Sequence, residues 1–306
     1  MKLQKVLSKV DAMTILKLAC ALIFFGRAWQ HLVWDSPLRS LLWDESLMEP
    51  LVQSFGVSWN DYVTNAKTDE WIQNIIKIFG VVFLFAGISS FFVTSRFRIH
   101  KFIFSMGSVL MLFVSFLYFK EKFFQIGELM EYAIQFGTPV ALLYASRKEI
   151  SNQLVCDILR AAVALTFLGH GLYAVGYYPV PGHFLDMTMS ILQIQNEGAL
   201  LFLKIAGIID FLIAISLMFG IRTKEALAYA TFWGLVTAAA RPISNVSFSS
   251  INYDLAQWLP EMVFRLGHGL VPLALLLITI KSLKEKSSVY NPLFIQSTAQ
   301  NQIAQH

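Results

Sequence analysis

The chain has 306 residues, of which 56% are hydrophobic and only 14% charged, and its mean hydropathy is +0.58. That balance excludes an ordinary soluble domain. A net charge of +4 would suit nucleic acid, but the bases fall between apolar runs in the alternation of the positive-inside rule. The distribution excludes a nucleic-acid partner and makes the lipid bilayer the expected one.

Lys2, Lys5 and Lys9 precede the first apolar run, at 13–34. This run continues to Trp34 with no small-residue cleavage site, so it reads as a membrane helix and not as a signal peptide. Segment 35–74 is acidic, with Asp35, Asp44, Glu45, Glu49, Asp61, Asp69 and Glu70 against Arg39 and Lys67, and it holds Trp43, Trp59, Tyr62 and Trp71. Aromatics of this kind favour the headgroup level. Further runs follow at 75–94, 100–119, 128–146, 154–176, 199–220, 225–241 and 260–280. An apolar stretch of about 18 residues spans hydrocarbon as a helix, which gives about eight crossings. Strand-type alternation is absent, which disfavours a β-barrel. Arg96, Arg98, Lys101, Arg147, Lys148, Arg222, Lys224, Lys281, Lys284 and Lys286 fall on one side of these crossings. The expectation is a multi-pass protein of the cell's inner (plasma) membrane with both termini cytoplasmic.

The fold class expected is therefore all-α: a polytopic membrane protein of two parallel four-helix repeats. ILKLACALIFFG at 15–26 returns as ILRAAVALTFLG at 158–169, and IKIFG at 76–80 returns as LKIAG at 203–207. A third echo sets EYAIQFG at 131–137 against EMVFRLG at 261–267. Matches in the same order mark a tandem duplication. An even number of crossings per copy gives both copies the same orientation, unlike inverted transporter repeats. The expected units are 1–147, with its long loop at 35–74, then 148–281, then a Gln/Ser-rich disordered tail at 282–306. Cys20 and Cys156 form no Cys-x-x-Cys pair, which disfavours dithiol chemistry.

Ionisable residues in hydrocarbon cost about 2.5–3.5 kcal/mol on insertion scales and are functional candidates by default. Arg27 and His31 share a face of the first helix. Glu131 and Gln135 share a face of the fourth, and His170 and Tyr173 occupy the matching part of the fifth. Arg241 closes the seventh helix, while Glu261, Arg265 and His268 line the eighth. All fall at one depth. His170 and His268 each sit in Gly-His-Gly, where a ligand can approach closely beside a group that titrates near neutrality. The catalytic candidates are His170, His268 and Glu261, and the ligand-binding candidates are Arg27, His31, Glu131, Gln135, Tyr173, Arg241 and Arg265. Asp210, opposite Phe83 in the other copy, is a proton-relay candidate. A purely structural network stands beside this reading, with Glu131 paired to Arg27 and Glu261 to Arg241 or Arg265, because buried ions must be paired. No metal-binding motif is present, and no spacing supports haem.

Leu159-Arg160 followed by Phe167-Leu168-Gly169-His170-Gly171 resembles the opening helix of the DoxX-like family of small four-helix membrane proteins, which includes the DoxD-type subunit of thiosulfate:quinone oxidoreductase. The likeness covers most of 154–280, whereas the first copy has Gly26-Arg27 in place of Gly-His. The resemblance implies an accessory or quinone-interacting subunit of a membrane redox system, with quinone as the cofactor and other redox subunits as partners. A carrier for a small anionic solute and a non-catalytic membrane scaffold are the competing expectations.

Overall fold

The computed structural model describes residues 11–94 and 96–283, and every described element is helical. The bases at Lys2, Lys5 and Lys9 and the tail beyond Leu283 lie outside the described residues.

Helix α1 (Ala12–Val33) starts at Asp11, whose carboxylate accepts from Thr14 N. The acidic segment then folds into three short helices, α2 (Leu38–Leu42), α3 (Glu45–Ser54) and α4 (Trp59–Thr64). Helix α5 (Ala66–Phe92) begins well before the apolar run at 75–94, so Asp69, Glu70 and Trp71 are helical and do not belong to the loop. The cause is local: Asn65 accepts from Lys67 N, and Asp69 lies in the first turn, where an acid favours the helix dipole. Helix α6 (Arg98–Glu121) follows, then the pair α7 (Ile126–Glu131) and α8 (Ala133–Ala145), divided at Tyr132. At this break the amide of Ile134 is taken up by Thr166 Oγ1 at 3.1 Å.

Helix α9 (Gln153–Ala174) leads to the short α10 (Gly182–Leu192), then α11 (Asn196–Phe219) and α12 (Thr223–Asn245). Gly220, at φ 70°, ends α11 in the left-handed region that glycine adopts without strain. Helix α13 (Ile251–Arg265) and α14 (267–283) form a second divided pair, broken at Leu266. Residues 282–283, expected in the tail, complete α14.

Among the described residues, six helices are long and apolar enough to cross a membrane: α1, α5, α6, α9, α11, and α13 with α14 taken as one. Helix α8 is apolar but shorter. Their outward faces are apolar, with Phe85, Val109, Leu201 and Leu212 all more than half exposed. Surfaces of this kind suit a lipid bilayer, and the chain is a helical membrane protein.

Helix α1 packs on α5, α5 on α6, and α6 on α8; likewise α9 packs on α11, α11 on α12, and α12 on α13. The halves also exchange contacts, because α13 lies against α1, and both α7 and α8 lie against α9. One core results, running from Leu16, Ile23 and Phe24 through Ile134 and Leu142 to Leu159, Ala214 and Val271.

Candidate functional site

His170 is positioned by its two glycines. A Cβ on Gly169 would lie 2.6 Å from Gly127 O and 2.8 Å from Glu131 N, so only glycine lets α9 approach α7 this closely. A Cβ on Gly171 would lie 2.6 Å from Phe211 Cε1 and 3.1 Å from Gly207 O, which brings α9 equally close to α11. The imidazole is held at the junction, with Nδ1 3.0 Å from Glu131 Oε1. The ring of His268, on α14, lies 5.5 Å away centroid to centroid at 72°. Gly234 lets α12 lie against the backbone at His268 and Gly269. Arg241, near the end of α12, donates from Nη1 to Glu261 Oε2 at 2.7 Å.

These helices enclose a cavity of about 280 Å³. Helix α10 closes one side with Phe184, Met187 and Thr188, and Phe167, Trp233 and Ala174 supply more of the wall. His170, Asp210, Arg241, Arg265 and His268 also line it. Three buried polar atoms on this lining have no hydrogen-bond partner among the described residues: Asp210 Oδ1, Arg265 Nε and His268 Nε2. Neither Arg265 nor Asp210 joins a salt bridge among the described residues, whereas Glu131 and Glu261 are each engaged. Buried polar groups without partners are costly in a low-dielectric interior. A mostly apolar cavity with a few convergent polar groups is the usual form of a small-molecule site.

Of the residues singled out in the sequence, His170, His268, Arg241, Arg265 and Asp210 face the cavity, and Glu131 and Glu261 hold two of them. The others lie elsewhere. Tyr173 Oη donates to Gln125 Oε1 at 3.0 Å and Glu128 Oε2 at 3.3 Å, on the α7 side. Arg27 does not pair with Glu131. It donates to Gln135 Oε1 from Nε at 3.0 Å and Nη2 at 2.7 Å, and to Gln30 Oε1 at 2.7 Å. Its guanidinium lies 3.9 Å from the centre of the Phe264 ring. His31 Nδ1 bonds to Arg27 O at 2.8 Å, and the ring packs edge-on against Phe83. Arg27, His31 and Gln135 therefore cluster between α1, α5, α8 and α13, apart from the cavity, with His31 Nε2 left without a partner among the described residues. The aromatic and aliphatic walls were missed. Trp233, Thr237, Ala240 and Arg241 recur at helical spacing on one face of α12, which is the signal that would have found part of them.

Comparison with protein-family models, with characterised proteins and with solved structures finds no match.

Proposed function

We propose that the chain crosses the inner membrane about eight times as two parallel four-helix repeats, and that the cavity of its second half binds the ring of a quinone. The protein would serve as a quinone-interacting subunit of a membrane redox system, as its resemblance to DoxX-like proteins implies. Related contacts support the duplication. A Cβ on Gly80 would meet Leu32 and His31, and a Cβ on Gly207 would meet Val175 and Ala174. Gly26 faces Pro260 and Phe264 as Gly169 faces Gly127 and Glu131. This last pair matches Glu128 with Glu261 and Gln135 with His268, which shifts the third sequence echo by most of a helical turn. The bases Lys101, Arg147, Lys148, Arg222 and Lys224 stand at the ends away from the acidic segment, which supports cytoplasmic termini.

The observation that carries the ligand reading is the convergence of Asp210 Oδ1, Arg265 Nε and His268 Nε2, all unpartnered, on a mostly apolar cavity. Such a site fits a flat apolar ring bearing a few oxygens. In this arrangement His170, oriented by Glu131, and His268 hydrogen-bond the ring oxygens. Arg265 donates from Nε, and Asp210 holds or returns a proton at Oδ1. A bound quinone supplies two-electron, two-proton redox chemistry. The chain's own residues bind, orient and exchange protons.

The test is binding of a short-tailed benzoquinone or naphthoquinone to protein in lipid nanodiscs. The wild-type chain is expected to bind, and His170→Ala and His268→Ala to weaken binding while preserving the fold. Undiminished binding in both variants overturns the assignment. The pair of arginines at the cavity favours a second reading, a carrier for a small anion. Uptake by proteoliposomes that Arg241→Ala abolishes would support that reading instead.

A further inference from the structure

The two halves answer each other position by position around the cavity. The matching contacts of Gly80 and Gly207 equate His31 with Ala174. Along the same helices Arg27 answers His170, Phe24 answers Phe167, and Phe83 answers Asp210. In the first half Arg27, His31 and Phe83 are all completely buried, and the rings of His31 and Phe83 meet between α1 and α5. His31 meets Phe83 edge-on at 5.1 Å, and Phe83 stacks on Phe24 at 6.0 Å and 21°. In the second half a methyl group replaces the imidazole and a carboxylate replaces the phenyl ring. Ala174, Asp210, His170 and Phe167 all line the cavity. The cavity thus lies where two rings lie in the other half.

We infer that the second-half site takes a ligand with a planar six-membered ring, which lies over Ala174 and stacks on Phe167 as Phe83 stacks on Phe24. This seat rests on the reading of the cavity as a ligand site, and it goes further by naming the shape and orientation of the occupant. The polar edge of the ring faces Asp210 and His170, with Arg265 and His268 reaching it from α13 and α14. Ala174 and Phe167 are then specificity-determining residues, since they select a flat ring and leave a compact inorganic anion without a partner for its shape. Aromatic pairs prefer offset stacked or edge-on geometry at about 4.5–7 Å, and the first half already displays both in the same backbone frame.

The experiment refills the seat. Ala174→His combined with Asp210→Phe reproduces the side chains of the first half. Three probes are titrated into wild-type and variant protein in nanodiscs: menadione, 2-methylnaphthalene and sulfate. Equilibrium dialysis of each probe against the nanodiscs, with empty nanodiscs as the blank, reports occupancy. The wild-type chain is expected to bind both ring probes and not sulfate. The refilled variant is expected to bind each ring at least about tenfold more weakly, a loss equal to one decade in the dissociation constant, with thermal stability at or above wild type. Phe167→Leu, which keeps an apolar wall, is expected to weaken both rings by roughly threefold to tenfold through lost stacking. It carries the test if the double variant does not accumulate. Binding of 2-methylnaphthalene without menadione overturns the quinone reading and upholds the ring seat. Ring binding undiminished in the refilled variant and in Phe167→Leu overturns the seat alone. Sulfate binding in place of either ring overturns both.

Discussion

Arg27 is a fully buried cation that forms no salt bridge among the described residues, and its replacement makes the sharpest test of how the first half is held. Its guanidinium is held by neutral acceptors and aromatic faces: Gln135 Oε1 through two N–H groups, Gln30 Oε1, Tyr118 Oη at 3.2 Å, and the rings of Phe264, Tyr118 and Tyr132. Arg27→Met keeps the apolar stem and removes the cation. Gln30 and Tyr118 still bond each other at 2.9 Å, so they lose little. Gln135 is 1% exposed and loses both of its donors. A buried acceptor left unsatisfied costs about 1–3 kcal/mol, and a desolvated cation–π contact adds about 2 kcal/mol. The expected loss is therefore about 3–5 kcal/mol. Gln135→Leu in the same chain removes the stranded acceptor, and replacing both polar partners by apolar groups of similar shape is nearly neutral. The double variant should recover about 1–3 kcal/mol, the part owed to the stranded acceptor. Unfolding of the purified protein by heat, or in graded detergent mixtures, measures all three variants and gives the coupling energy directly. If the double variant loses as much as the two single variants added together, the account of Arg27 as a cation held by Gln135 is wrong.

Two further expectations concern the frame around the sites. Gly169→Val places side-chain atoms against the backbone at Gly127 and Glu131, which cannot give way as a flexible side chain could. It should destabilise the protein by about 1–3 kcal/mol or more and separate His170 from Glu131. Gly182→Ala, with nothing within 4 Å, should be silent, and equal melting temperatures for the two variants would contradict the close approach of α9 to α7. At the acidic segment, Asp44 pairs with Lys120 and accepts from Ser46 Oγ at 2.5 Å. The ammonium and then the hydroxyl hold its carboxylate below the usual range, at about 2. Because the folded value is depressed, the pair adds stability above the unfolded carboxylate value near 4 and loses it as pH falls from there toward 2. Lys120→Met should flatten the melting temperature over that window, and an unchanged pH profile would show that the pair contributes nothing.

The long apolar helices were legible because hydrocarbon thickness sets a length that apolar runs either reach or miss. Ala12–Val33, Gln153–Ala174 and Asn196–Phe219 lie within a few residues of the runs that announced them. The start of α5 was less legible because Asn65 caps a polar turn that hydropathy alone assigns to the loop. The partners of the charged residues divide in the same way. Arg241 and Glu261 sit on consecutive long helices, and their pairing was among those expected from the sequence. Arg27 and Glu131 were expected together because both belong to the first half. Their separation follows from the exchange of contacts between halves, which no local pattern reports: α7 carries Glu131 to α9, and α13 carries Phe264 to α1.

On the proposed duplication, that exchange also explains why the two halves could diverge where they did. Each polar centre takes one of its members from the other half, so a change in one helix alters a site across the molecule. At the position facing Arg27 stands Phe264, whose ring accepts a cation by its face; at the matching position facing His170 stands Glu131, which accepts a proton-bearing nitrogen. The first arrangement satisfies the cation with rings and amides and leaves no room, since Arg27, His31 and Phe83 are all fully buried. The second keeps the ionisable groups and exchanges bulk for space at Ala174 and Asp210. Both centres carry unpartnered buried atoms, His31 Nε2 in the first and Asp210 Oδ1, Arg265 Nε and His268 Nε2 in the second, and partly satisfied polar clusters cost stability in a low-dielectric interior. What sets the second centre apart is that its three unpartnered atoms lie on the lining of one cavity, where a ligand of the proposed kind would complete their hydrogen bonds.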